Sequence, residues 1–240
     1  MLPAAMRETI QGLWIGPRLS TMERLSIASF LRHGHPYHLY AYGDVEGVPP
    51  GAELRDGNEI LPAATVFRYS RHESYSGFSN FFRYKLLLER GGWWVDSDVV
   101  CLRPFDFPAE HVFASEPAED GEVAATAVLK APAGSEVMAR AWSACQAKDV
   151  SRLAWGETGP RLLAGLIREL ALDGCRLPSA VFCPLGFHRW REVLEAGGAP
   201  TGEAHAVHLW HEMWRRAGVD KDGRFPAGCL YERLKQRYLE

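Results

Sequence analysis

Asp96 and Asp98 are the residues whose type and spacing best suit chemistry, standing one residue apart in Gly91-Gly92-Trp93-Trp94-Val95-Asp96-Ser97-Asp98-Val99-Val100. Like charges that close raise each other's pKa unless a cation lies between them, and a divalent metal is the simplest relief. Alternate side chains of a β-strand share a face, so both carboxylates would point the same way at a strand end open to water and substrate phosphates. The triplet also fits a plain turn between two strands, the commoner use of such residues. Repulsion between the pair has a consequence for stability: deleting Asp98 would relieve it in the metal-free protein and leave the fold intact.

The stretch before the motif has to position it. Phe81, Phe82, Tyr84, Leu86, Leu87 and Leu88 make an apolar helix, with Ser79 as its N-cap and Gly91-Gly92 as its stop. Arg83 in so apolar a helix must either snorkel to the surface or meet a buried anion, and its planar fork suits a phosphate or a carboxylate. Residues 65–78, rich in Arg, His, Ser and Tyr, read as an irregular segment near the site.

Earlier in the chain, Ile10 to Gly16 reads as a strand, followed by a helix with Ser20 and Glu23 at capping-box spacing and Gly34 as its stop. Tyr37 to Tyr42 and Glu53 to Asp56 are further strands. That alternation predicts an open, largely parallel sheet with ligands at the carboxyl ends of its strands. Trp14, at such an end, either joins the core or offers a flat face to a nucleobase.

The combination Ser79-Asn80-Phe81-Phe82-Arg83, Leu87-Leu88 and Gly91-Gly92-Trp93-Trp94-Val95-Asp96-Ser97-Asp98, with thirteen residues from Arg83 to Asp96, resembles the signature of the DXD-motif glycosyltransferases. That group includes capsular-polysaccharide, α-1,4-linked and initiating mannosyl-type enzymes. The resemblance covers about the first 100 residues well. It implies an α/β chain of GT-A fold, a Rossmann-like open mixed sheet flanked by helices, with a nucleotide-sugar donor and Mn2+ or Mg2+. By the same resemblance Asp96 touches donor ribose or sugar and assists the metal, Asp98 ligates it, and Arg83 reaches donor phosphate or sugar oxygens. Trp14 holds the base, and Asn80, Trp94, Gly159 and Trp210 are further substrate-binding candidates. Asn80 departs from the family, which commonly has aspartate there; an amide still hydrogen-bonds a sugar hydroxyl but brings no charge.

Beyond the motif, His111 to Ser115 and Val123 to Leu129 read as strands and Glu136 to Ala147 as a helix. Thr158-Gly159-Pro160 opens another, with Thr158 as N-cap, and Glu157 and Thr158 are acceptor-side candidates by the resemblance. Ala204 to His211 holds three histidines in a strand-like run. His208-Leu209-Trp210 resembles the family's His-x-Trp, which makes His208 a metal ligand beside Asp98 and leaves His211 as the competing one. Asp220-Lys221-Asp222-Gly223 is a turn, since a calcium loop would need a bidentate glutamate that is misplaced here. Leu230 to Leu239 is an amphipathic helix.

With 240 residues, 47% hydrophobic and 24% charged, the chain suits one domain, a nucleotide-sugar half at about 1–105 and an acceptor half at about 106–240. A net charge of −3 excludes the broad basic field of nucleic-acid binders. Five widely spaced cysteines lack metal or redox spacing, and no signal-like start or membrane-spanning run is present, so a cytoplasmic protein is expected. Peripheral membrane contact is left open. The predicted activity is transfer of a hexose from a UDP-sugar to a saccharide or related acceptor with retention. Two alternatives stand beside it: a haloacid-dehalogenase-like phosphatase using Asp96, and a carbohydrate-binding domain without turnover.

Overall fold

The computed structural model describes residues 7–69, 73–198 and 201–240. Residues 70–72 of the segment expected to be irregular, and residues 1–6 of the start, lie outside the described residues. In chain order the elements are β1 Ile10–Leu13, α1 Thr21–Arg32, β2 Tyr37–Ala41, β3 Ala52–Asp56, α2 Ser76–Arg90, β4 Gly92–Val95 and β5 Val99–Cys101. Then follow β6 Val112–Ala118, β7 Gly121–Ala131, α3 Glu136–Gln146, α4 Pro160–Glu169, the short α5 Ser179–Phe182, β8 Ala206–His208, α6 His211–Arg216 and α7 Leu230–Leu239.

Among the described residues the strands form a six-stranded sheet, β3-β2-β1-β4-β7-β6, and a separate ribbon of β5 with β8. The first four are parallel and β7 and β6 run antiparallel to their neighbours, so the sheet is mixed and open as expected. Trp93 and Trp94, adjacent on β4, point to opposite faces and anchor the two main cores. Each is at most 1% exposed, and burying an indole is worth roughly 4–6 kcal/mol before entropy is counted. The turn from α2 into β4 needs glycine: Gly91 has φ +65°, and a Cβ there would stand 2.5 Å from the Ala133 nitrogen. At α1 the capping box is complete, with the Ser20 N–H donating to Glu23 Oε2 at 2.8 Å.

Three local expectations are corrected. Ser79 does not cap α2, which begins at Ser76, because Phe78 is itself buried and draws one more turn into the helix. Gly159 rather than Thr158 caps α4; Thr158 is fully buried, with its carbonyl accepting from the Tyr84 hydroxyl at 3.0 Å. Asp96 and Asp98 do not share a strand face either. β4 ends at Val95, and Asp96-Ser97-Asp98 turns into β5, closed by the Val99 N–H donating to the Asp96 carbonyl at 3.0 Å. The turn reading of the triplet holds.

Candidate active site

Asp96 caps the end of a strand between two buried walls. Its Oδ1 accepts from Trp94 Nε1 at 2.8 Å and pairs with Arg83 Nη2 at 3.1 Å. Arg83 is 3% exposed, so the anion its apolar helix demanded is this carboxylate rather than a phosphate. Its fork also donates to the Ser79 carbonyl at 3.1 Å, to Ser79 Oγ at 2.8 Å and to the Thr126 carbonyl, and the guanidinium lies 4.9 Å from the Trp94 ring centre. Four of five N–H donors are thus engaged with protein. The expectation that Arg83 reaches donor oxygens is corrected to that extent: its first task is to hold Asp96. Burial pushes the Asp96 carboxyl up, as does Asp98, against the opposing pull of Arg83.

Asp98 is anchored differently. Its Oδ2 accepts from the His211 backbone N–H at 2.7 Å and lies 3.1 Å from His208 Nε2. β8 brings His208 there by pairing it with Val99 on β5. Burial works to raise the Asp98 carboxyl, but His208 and the His211 N–H outweigh it and hold the group well below the usual carboxylate range. Burial likewise works to lower His208, and Asp98 beside it raises the imidazole well above its ordinary value. The expected relief on deleting Asp98 is therefore overturned. Asp98 is half of a buried, hydrogen-bonded pair, and removing it would strand His208.

Ligand atoms of Asp96, Asp98 and His208 all lie within 4.8 Å of one another, a donor set of the kind divalent cations take. His208 stacks on Trp210 with ring centres 4.0 Å apart. Trp210 sits in the left-handed region at φ +59°, costly for a bulky side chain, and is held there by Nε1 donating to the Leu185 carbonyl at 2.8 Å. His211 lines the same cavity, and it hydrogen-bonds Asp98 through its backbone N–H. His205 is structural, its Nδ1 lying 2.8 Å from the Pro104 carbonyl.

These groups open into a cavity of about 520 Å³ whose wall includes Trp14, Arg83, Trp94, Asp96, Asp98, His208 and Trp210. Trp14 follows β1, beside β4 in the sheet, and Lys221 lies 5.4 Å from its ring centre. Lys221 stands in the expected turn, where Asp222 accepts from the Thr21 N–H at 2.7 Å. Asn80 and Gly159 are not part of that wall: a Cβ on Gly159 would stand 3.1 Å from Asn80 Nδ2, so the two pack against each other behind it. Glu157 binds Lys148 at 2.7 Å and the Ala154 N–H at 3.0 Å, a structural use. Trp155 and Tyr75 also line the cavity; an aromatic beside a glycine in a loop was the only sequence signal for Trp155.

Residues 51–117 match the family described as glycosyltransferase sugar-binding region containing DXD motif, a span that includes Arg83, Asp96 and Asp98. No curated protein matches the chain. Among solved structures it is similar to the PaToxG glycosyltransferase, at 16% identity with a TM-score of 0.51, over 70% of this chain and 72% of that one. A transferase solved as a double Cys-to-Ser mutant is similar at 10% identity with a TM-score of 0.48, over 69% of this chain and 86% of that one. The apo WbbM bifunctional glycosyltransferase is similar at 12% identity with a TM-score of 0.47, over 99% of this chain; the chain spans 53% of its length. The first of these likenesses supports the fold, and the family match falls on the turn that carries the two carboxylates. The chain carries a DXD-containing glycosyltransferase sugar-binding region at residues 51–117, set in a fold similar to that of a glycosyltransferase.

Proposed function

We propose that the protein transfers a hexose from a UDP-sugar to a saccharide or related acceptor, with Mn2+ or Mg2+ held by Asp96, Asp98 and His208 and with retention of configuration. The observation that carries this reading is the convergence of those three ligand atoms within 4.8 Å on the wall of a cavity that also contains Trp14. A mixed carboxylate and imidazole set suits Mn2+ better than Mg2+, whose partners are usually all oxygen. When bound, the cation supplies positive charge to the diphosphate oxygens.

The chain's own residues do the rest. Arg83 and Trp94 both hold Asp96 through Oδ1, while the His211 N–H fixes Asp98. His208 Nε2 must give up its proton to become a ligand. Trp14 offers its indole to the base. None of the lining carboxylates is assigned as a nucleophile, so the acceptor hydroxyl would attack from the side of the leaving diphosphate and pass its proton to it. In this reading both halves contribute to the site: Trp14, Asp96 and Asp98 come from 1–105, and His208 comes from 106–240. Among the described residues no helix is long and apolar enough to cross a membrane. A cytoplasmic location, with all five cysteines free, accords with this reading.

Thermal shift with a panel of nucleotide sugars and manganese tests the donor. A ligand at 100 times its dissociation constant stabilises by about 2.7 kcal/mol, and a UDP-sugar should give the largest rise. Stabilisation by guanosine or cytidine donors alone would overturn the assignment.

A further inference from the structure

Trp155 is the only one of the eight tryptophans to stand among the exposed large apolar residues, at 37%, and it lines the cavity rather than the outer surface. It has a different set of neighbours from Trp14. The Trp14 ring meets Lys221 and donates from Nε1 to the Arg18 carbonyl at 3.1 Å. The Trp155 ring packs against Tyr69, with centres 5.0 Å apart, and under Arg216, whose guanidinium lies 4.9 Å from its centre. Arg216 in turn donates from Nε to Glu212 at 2.8 Å.

The topology separates the two indoles. Trp14 follows β1, and Trp155 precedes α4, which packs on β7; β4, with Asp96 at its end, lies between β1 and β7. We infer that Trp155 is the platform of an acceptor subsite for a pyranose ring, across the metal-ligand turn from the base-binding indole; the inference rests on the glycosyltransferase reading above. A pyranose has an apolar face of C–H groups bounded by hydroxyls. An indole covers such a face, and hydroxyl and carboxylate side chains around it read the rim. Ser74, Tyr75, Ser76 and Glu73 line the same cavity, with Arg68 Nη2 donating to the Tyr75 hydroxyl at 2.6 Å. A peptide acceptor would call instead for an open strand edge, a helix groove or an anion cluster.

The test measures UDP release from the stabilising UDP-sugar with manganese, alone and with methyl gluco-, galacto- and mannopyranosides of both anomers. At least one pyranoside should accelerate release in the wild type. Trp155→Ala should raise the KM of that pyranoside at least about tenfold and Trp155→Phe a few-fold, with the donor KM unchanged, the pattern of lost acceptor binding. A thermal shift with UDP and manganese equal to wild type reports an intact donor site; where the alanine variant lacks it, the phenylalanine variant carries the test. An unchanged pyranoside KM in the variants, or acceleration by serine- or tyrosine-containing peptides and not by pyranosides, overturns the subsite. Donor cleavage that no pyranoside accelerates overturns it too, while leaving the donor reading standing. Absence of both UDP binding and UDP release sinks the donor reading itself, and the subsite with it.

Discussion

Asp96 and Asp98 are one residue apart, yet different regions of the molecule hold them. Asp96 is gripped by Arg83 from α2 and by Trp94 from the preceding strand β4, thirteen and two residues away. Asp98 is gripped by His208 and the His211 N–H, 110 and 113 residues away. Their carboxyls move in opposite directions, Asp96 raised by burial and by Asp98, and Asp98 lowered by His208 and His211 against its burial. The motif is therefore not a symmetric pair of repelling charges. One member is an anion under strain that a cation would relieve; the other is a settled ion pair that a cation must open, displacing the proton on His208.

The largest effect should come from Asp98→Ala. Losing a ligand with several kcal/mol of charge stabilisation behind it should lower turnover by roughly 10³-fold. The metal-free protein should also lose about 1–3 kcal/mol in urea unfolding, because His208 is left buried without its partner. A metal-free variant as stable as wild type would restore the simple repulsion picture. Next, isothermal titration of manganese in the presence of UDP should show a loss of about 100-fold for His208→Ala. His211→Ala should change it little, since the contact to Asp98 is through the backbone. Loss confined to His211 would move the ligand by three residues.

Arg83→Lys sharpens the Asp96 side. A point charge cannot replace a fork that meets Ser79, Thr126 and Asp96 together, so turnover should fall by about 10–100-fold. Arg83 opposes the upward shift of Asp96, and Asp96 must be ionised to act as a ligand. Weakening the fork should therefore move the acid limb of the pH profile to higher pH; a limb that stays in place would show that Arg83 does not set Asp96. The smallest effect is on stability without metal. A carboxyl raised in the folded state is less stable as the anion, but neutralising it leaves the buried Arg83 without a counter-charge, so Asp96→Asn should change stability at pH 7 by only about 1 kcal/mol or less. Asp98 is depressed, so its contribution is present above its unfolded pKa and fades as pH falls through the folded value. Asp98→Asn should therefore lower the melting temperature at pH 7 and converge on wild type in acid. A loss for Asp96→Asn as large as that for Asp98→Asn would break the comparison.

Local order was legible because the interactions that make it act between neighbours in the chain. The capping box at Ser20 and Glu23, the Gly91-Gly92 turn and the amphipathic Leu230–Leu239 helix all follow from spacing within a few residues. The helix start at Ser76 escaped that reading because the burial of Phe78, not the identity of Ser79, drew the extra turn. Thr158 escaped it because the Tyr84 hydroxyl claims its carbonyl inside the core.

The sequence by itself determined an apolar helix carrying one arginine, a glycine stop, a strand and two carboxylates one residue apart; that these share a site was implied by the resemblance to the DXD-motif glycosyltransferases. Which partner each charge takes was decided only by the tertiary structure. Arg83 could have snorkelled to the surface or met a buried anion, and only the packing of α2 on β4 and β7 shows that Asp96 and the Thr126 carbonyl supply its partners. His208 reaches Asp98 because β8 pairs with β5 across a hundred residues, and Trp155 reaches the cavity because α4 packs on β7. Such contacts depend on how faces are buried against one another, a property of the assembled core that no local spacing encodes.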